Sequence, residues 1–143
     1  MSARIDAALK LFQGGFNCAQ AVVGAFYPVE EDEGRLAVRL ASGFGGGMRS
    51  GEVCGAVTGA VMVIGLREGY LGQGLAAKAQ SSELTSAFMG EYLRRKGTLL
   101  CRELLGYDPT DPEAKAKSAA HKRQVCKDAI KTAVLLLQEM GIE

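Results

Sequence analysis

The sequence predicts an all-α protein: six to eight helices packed as one bundle around a central helix at about residues 51–66. Three observations predict it. Apolar residues recur at three- and four-residue spacing, whereas no strand alternation of useful length appears. Proline is limited to three positions, Pro28, Pro109 and Pro112, each at an expected bend. The segment 53–66 is an uncharged run of 14 residues, apolar on nearly every side, as suits the middle of a bundle.

The elements follow in order. Ser2 caps a first helix whose Ile5, Leu9 and Phe12 share one face, and Gly14-Gly15 stops it. Asn17 caps a second, from 18 to about 27, which Pro28 ends. A third spans about 31–41; Leu36, Val38 and Leu40 would also fit a short strand. Residues 43–47 then hold four glycines in five positions, which permits backbone angles closed to other residues. In the central helix, Gly51, Gly55 and Gly59 fall at i, i+4 and i+8 and form a smooth ridge for a close neighbour. Each costs about 1 kcal/mol relative to alanine, so packing or a site must compensate. Residues 69–74 read as a turn. A long helix at about 75–95 puts Leu84, Phe88 and Tyr92 on one stripe, and Gly97 closes it. Thr98 caps a short helix that carries Cys101, Leu104 and Leu105 and stops at Gly106. Asp111 caps the next, with Pro112 at its first position, and a final stretch carrying Val125, Ala129, Thr132, Leu136 and Met140 ends at Gly141.

The 143 residues suit one domain, 1–143, and no repeat or change of composition marks a second. Seventeen Lys+Arg against sixteen Asp+Glu leave a net charge of +1, which removes the bulk electrostatic case for nucleic acid or an anionic membrane. Tryptophan is absent and aromatics make up 6%, so base stacking is disfavoured too. The longest apolar run falls short of the ~20 residues a membrane-spanning helix needs. The first residues show no export signal, so a cytoplasmic protein with reduced thiols is expected.

Four cysteines, Cys18, Cys54, Cys101 and Cys126, are separated by 36, 47 and 25 positions, and no pair forms CxxC. The first three fall in expected first turns of helices. There, unpaired amides and the helix dipole stabilise a thiolate, the form that acts as nucleophile or metal ligand. Cys54, with glycines around it, is the expected most reactive thiol. Lys122, Arg123 and Lys127 favour ionisation of Cys126. Any one of the four, taken alone, also suits a small core hydrophobe. Gly43, Gly45, Gly46 and Gly47, with Gly55, are the expected backbone cradle, their amides facing an anion or a sulfur-rich centre beside Cys54. The run lacks the βαβ setting of a dinucleotide fingerprint and the ending of a phosphate-binding loop. His121 reads as a solvated residue in a basic stretch.

The hexapeptide Cys54-Gly55-Ala56-Val57-Thr58-Gly59 matches a CGAxxG element. With Cys18 before it, Cys101 and Cys126 after it, and Gly43-Phe44-Gly45-Gly46-Gly47-Met48 just upstream, the chain resembles the small redox-active proteins of the C_GCAxxG_C_C family. Cys101-Arg102-Glu103-Leu104-Leu105-Gly106 extends the likeness, which covers essentially the whole chain. The resemblance implies redox activity through the four cysteines and partners among oxidoreductase or transporter systems. It carries over no substrate. Some members have a twin-arginine export signal, which this sequence lacks.

Three readings remain open at this level. In the first, the cysteines surround one redox site, either a dithiol–disulfide pair or thiolates holding an iron–sulfur cluster. In the second, they bind zinc or Cu(I) without turnover. In the third, the glycine-ridged helix makes a homodimer interface and the cysteines are core. A Ser/His/Asp catalytic set is not available with His121 the sole histidine.

Overall fold

The Ser2 hydroxyl accepts a hydrogen bond from the Ile5 amide at 3.0 Å and starts α1 (Ala3–Gln13). Asn17 and Gln20 form a reciprocal capping box at 2.8 and 3.1 Å, which starts α2 (Cys18–Phe26). The Asn17 amide also donates to the carbonyls of Ala41 and Ser42, at 3.3 and 2.9 Å. The start of α2 is thereby tied to the turn that follows α3 (Asp32–Leu40), whose helical reading prevails over a strand. This computed structural model describes residues 2–72 and 74–143. Gln73, inside the turn expected over 69–74, and Met1 lie outside the described residues.

The central helix starts later than the sequence suggests. It is α4 (Gly55–Glu68), with Cys54 as its N-cap. Residues 46–49 instead form a left-handed turn, with φ of 63° at Gly46 and Gly47, 61° at Met48 and 58° at Arg49. Left-handed backbone costs a side-chain-bearing residue about 1–2 kcal/mol, so Met48 and Arg49 are strained. Gly51, at φ 71°, belongs to this loop and packs against Arg102 and Pro109. The expected three-glycine ridge is therefore a two-glycine ridge, Gly55 and Gly59. It faces α2 within the same chain, so it is not a free dimerisation surface.

The remaining helices are α5 (Leu75–Lys96), α6 (Cys101–Leu105), α7 (Pro112–Lys117) and α8 (Ala119–Glu139). Gly97 and Gly106 end α5 and α6 in left-handed geometry, and Asp111 caps α7 with Pro112 at its first position. One expectation shifts: Leu100 rather than Thr98 is the N-cap of α6, with the Thr98 hydroxyl accepting from the Leu100 amide at 3.1 Å. Ser118 divides α7 from α8.

Helix α4 packs on α2, α5 and α8, as expected of a helix apolar on nearly all sides. Val57, Val63 and Ile64 of α4, Val22 and Val23 of α2, Phe88 and Tyr92 of α5, and Ile130, Val134 and Leu137 of α8 are fully buried in one cluster. Among the described residues there is no strand; one isolated antiparallel bridge pairs Val53 with Leu100.

A Cβ at Gly59 would lie 2.7 Å from the Ala19 carbonyl oxygen, whereas one at Gly90, in the middle of α5, would meet nothing within 4 Å. Gly59→Ala is expected to lower stability by about 1–3 kcal/mol through overpacking. Gly90→Ala is expected to raise it by about 0.5–1 kcal/mol. Urea denaturation of the two variants checks both signs.

Candidate functional site

The four cysteines converge. All line one cavity of about 160 Å³, walled also by Gly45, Gly46, Gly55, Arg49 and Lys122. Every one is a free thiol, only 5 to 9% exposed.

Each arrives by a different local device. Cys18 is the first residue of α2, set by the Asn17 capping box. Gly55 brings α4 against it: a Cβ at Gly55 would sit 3.3 Å from the Cys18 Cβ. Cys54 and Cys101 each follow one partner of the Val53–Leu100 bridge. The Cys54 amide donates to the Leu99 carbonyl at 2.8 Å and the Cys101 amide to the Glu52 carbonyl at 2.6 Å. Alternation along extended backbone puts these two side chains on the same side of the bridge. Cys126 lies in the interior of α8, one turn after Lys122.

The expected cradle is partly assembled. Gly45, Gly46 and Gly55 line the cavity. Gly43 instead belongs to the tight turn after α3, where a Cβ would meet nothing within 4 Å. Gly47 packs behind Cys101, with its would-be Cβ 2.9 Å from the Cys101 Cβ.

Electrostatics reorder the thiols relative to the sequence expectation. Burial raises the Cys54 thiol above its ordinary value, outweighing the Ala56 and Val57 amides at the helix start and the Tyr92 hydroxyl, which donates to its Sγ at 3.8 Å. Burial, then the neighbouring Cys54 and Cys126, push Cys101 up to about 12. The hydrogen bond with Cys126, then burial, hold Cys18 well above the thiol range. Cys126 moves the other way: the hydrogen bond from Cys18, with the Lys122 charge, lowers it despite burial. The helix-start argument has the right sign for Cys54, but desolvation is larger. Of the four, only Cys126, inside a helix, is shifted down.

Two tyrosines join the site without a sequence signal. Tyr92 lies on the Leu84/Phe88/Tyr92 stripe and reads as core, yet its hydroxyl reaches Cys54 and burial keeps it protonated. The Tyr107 hydroxyl is shielded from solvent, has no hydrogen-bond partner among the described residues, and feels Cys126 and Cys101. His121 stands aside: its Nε2 lies 2.7 Å from the Leu105 carbonyl oxygen.

The metal readings meet a geometric test here. Among the described residues, no three His, Cys, Asp or Glu side chains are arranged to hold one metal ion. The four thiols share a cavity, but no three of them surround a single ion position.

An all-α bundle with four buried thiols around one cavity defines a thiol-cluster protein. The chain belongs to the family described as "Putative redox-active protein (C_GCAxxG_C_C)", whose model matches residues 16–140. The family supports a redox role in general terms. No curated protein and no solved structure matches the chain. Among the described residues, no helix is long and apolar enough to cross a membrane.

Thiols with raised folded values stabilise the protein fully below the unfolded value near 9.0 and lose that contribution as pH rises through the folded value. The reduced protein is therefore expected to lose stability between pH 9 and about 12, the Cys101 window. Each thiol kept protonated adds a slope of about 1.4 kcal/mol per pH unit. Denaturation at pH 8 and pH 10.5 measures this, and Cys101→Ala is expected to flatten the dependence.

Proposed function

We propose that this protein is a dithiol–disulfide redox protein in which Cys126 is the attacking thiolate and Cys18 the resolving thiol, the whole chain acting as one redox unit. The observation that carries the reading is the convergence of four free thiols on one cavity, with Lys122 on its wall one turn before Cys126. Cys18, and then the Lys122 cation, favour the Cys126 thiolate, while the Cys18 thiol is held up.

The exchange balances with a disulfide R–S–S–R as oxidant. The Cys126 thiolate attacks one sulfur, breaking the S–S bond, expelling R–S⁻ and leaving a mixed disulfide. Cys18 gives up its proton and attacks the Cys126 sulfur, which expels the second R–S⁻. The protein loses two electrons; one R–S⁻ takes the Cys18 proton and the other is protonated from solvent, so the acceptor leaves as two thiols. Cys54, hydrogen-bonded to Tyr92, and Cys101 keep their protons and shape the cavity. A cytoplasmic setting suits this cycle, since the resting thiols stay reduced there.

Treating the reduced protein with hydroxyethyl disulfide is expected to consume two thiols and give a Cys18–Cys126 disulfide on peptide mapping. Cys18→Ser is expected to trap a mixed disulfide on Cys126. Lys122→Gln is expected to move the midpoint of Cys126 alkylation to higher pH. A Cys54–Cys101 disulfide as the first product, or persistence of all four thiols, would overturn the reading.

A further inference from the structure

The thiol cavity does not open onto neutral surface. A second recess of about 350 Å³ shares Gly46, Arg49 and Lys122 with it and adds Lys115. A third, of about 530 Å³, shares Phe12 and Lys122 and adds Arg123 and Lys127. Five cations thus line the thiol cavity and the two adjoining recesses, and among the described residues no Asp or Glu lines any of the three. The chain as a whole is nearly neutral at +1, so this is local concentration of charge rather than bulk basicity. Four other surface arginines are matched by carboxylates: Arg94 and Arg95 with Glu91, Arg102 with Glu52, Arg35 with Asp32. Among the described residues, no carboxylate pairs with Arg49, Lys115 or Lys122.

Arg49 is also held where a side chain is unwelcome. Its φ is 58°, in the left-handed turn that follows Gly46 and Gly47. That backbone places Arg49 at the shared wall of the two recesses.

We infer that the recess is an anion-binding vestibule and that the oxidant is a small disulfide carrying carboxylate groups. The inference rests on the dithiol reading above. Arginine and lysine recognise the carboxylates while the sulfur end enters the cavity. The size argues for a small molecule rather than a protein disulfide. Thiols 5 to 9% exposed are out of reach of a disulfide on a protein surface. A cavity of about 160 Å³ is close to the ~150 Å³ that admits a benzene ring.

Three disulfides of different charge test this on the reduced full chain: glutathione disulfide (anionic), hydroxyethyl disulfide (neutral) and cystamine (cationic). Each rate is referenced to the same exchange with free 2-mercaptoethanol. Glutathione disulfide is expected to exceed the other two by on the order of tenfold at low salt. The excess should vanish at about 1 M salt, where the screening length is about 3 Å. It should also vanish in an Arg49→Asn/Lys115→Gln variant, in which glutathione disulfide slows far more than hydroxyethyl disulfide. Asparagine tolerates the left-handed backbone at position 49, and Lys122 is retained because it acts on Cys126. Equal referenced rates for all three disulfides, or equal slowing of all three in the variant, would overturn the vestibule.

A binding arm separates this from the thiol chemistry. S-methylglutathione, which cannot exchange, is expected to bind a Cys18→Ser/Cys126→Ser protein saturably by NMR titration, and to lose that binding when Arg49→Asn and Lys115→Gln are added. Saturable binding with no exchange in the parent protein would keep the anion site and overturn the dithiol reading. Exchange without binding or charge preference would do the reverse.

Discussion

A methyl group at position 59 would press to 2.7 Å against the Ala19 carbonyl oxygen, and one at position 55 to 3.1 Å against that of Phe44. Helices α2 and α4 therefore meet backbone to backbone, and everything about the thiol site depends on that approach. It lays the start of α4 against the start of α2 and so puts Cys54 and Cys18 into one cavity. The Val53–Leu100 bridge then delivers Cys101, and α8, packed across α2 and α4, delivers Cys126. Each helical glycine costs about 1 kcal/mol relative to alanine. Burial of Val57, Val63 and Ile64 along the same helix, at about 1.5–3 kcal/mol per side chain, offsets that cost.

Gathering four thiols in a dry cavity sets their chemistry by competition. A thiolate gains from amides and cations but loses from desolvation, and each further thiolate repels the first. Burial wins at Cys54 and Cys101. Only at Cys126 do a donated hydrogen bond and a cation act together strongly enough to reverse the sign. In the proposed cycle, the Cys18 proton that favours the Cys126 thiolate is the one that must leave when the pair closes into a disulfide. One interaction would then serve the resting state and set the order of the two steps.

Much of this was legible in the sequence, for local reasons. Ser2, Asn17 and Asp111 cap as their side chains dictate, and Gly97 and Gly106 stop helices as expected. The spacing of Phe88 and Tyr92 marks a buried stripe. The features that stayed hidden are non-local. The left-handed turn at 46–49 runs through Met48 and Arg49, which have no propensity for it, so glycine spacing alone points to a helix start at Gly51 and the helix begins at Gly55. The Val53–Leu100 bridge joins residues far apart in sequence and carries no strand pattern. The ordering of the thiols depends on burial, which a helix-start rule does not contain. Lys122 was visible as a neighbour of Cys126, whereas Tyr92 and Arg49 show their roles only once the cavity exists.

The strain at Met48 and Arg49 needs something to hold it, because about 1–2 kcal/mol at each residue would otherwise relax. The turn is closed by the Met48 amide donating to Phe44 at 3.3 Å and the Glu52 amide to Gly47 at 3.0 Å. Glu52 is anchored in turn, accepting from the Cys101 amide at 2.6 Å through its carbonyl and pairing with Arg102 at 3.2 Å through its carboxylate. Arg102 also donates to the Gly51 carbonyl at 3.2 Å. The contacts that hold the left-handed turn are therefore the ones that position Cys54 and Cys101. Loosening one end of this assembly must disturb the other, so the wall that carries Arg49 and the floor that carries two thiols behave as a single unit.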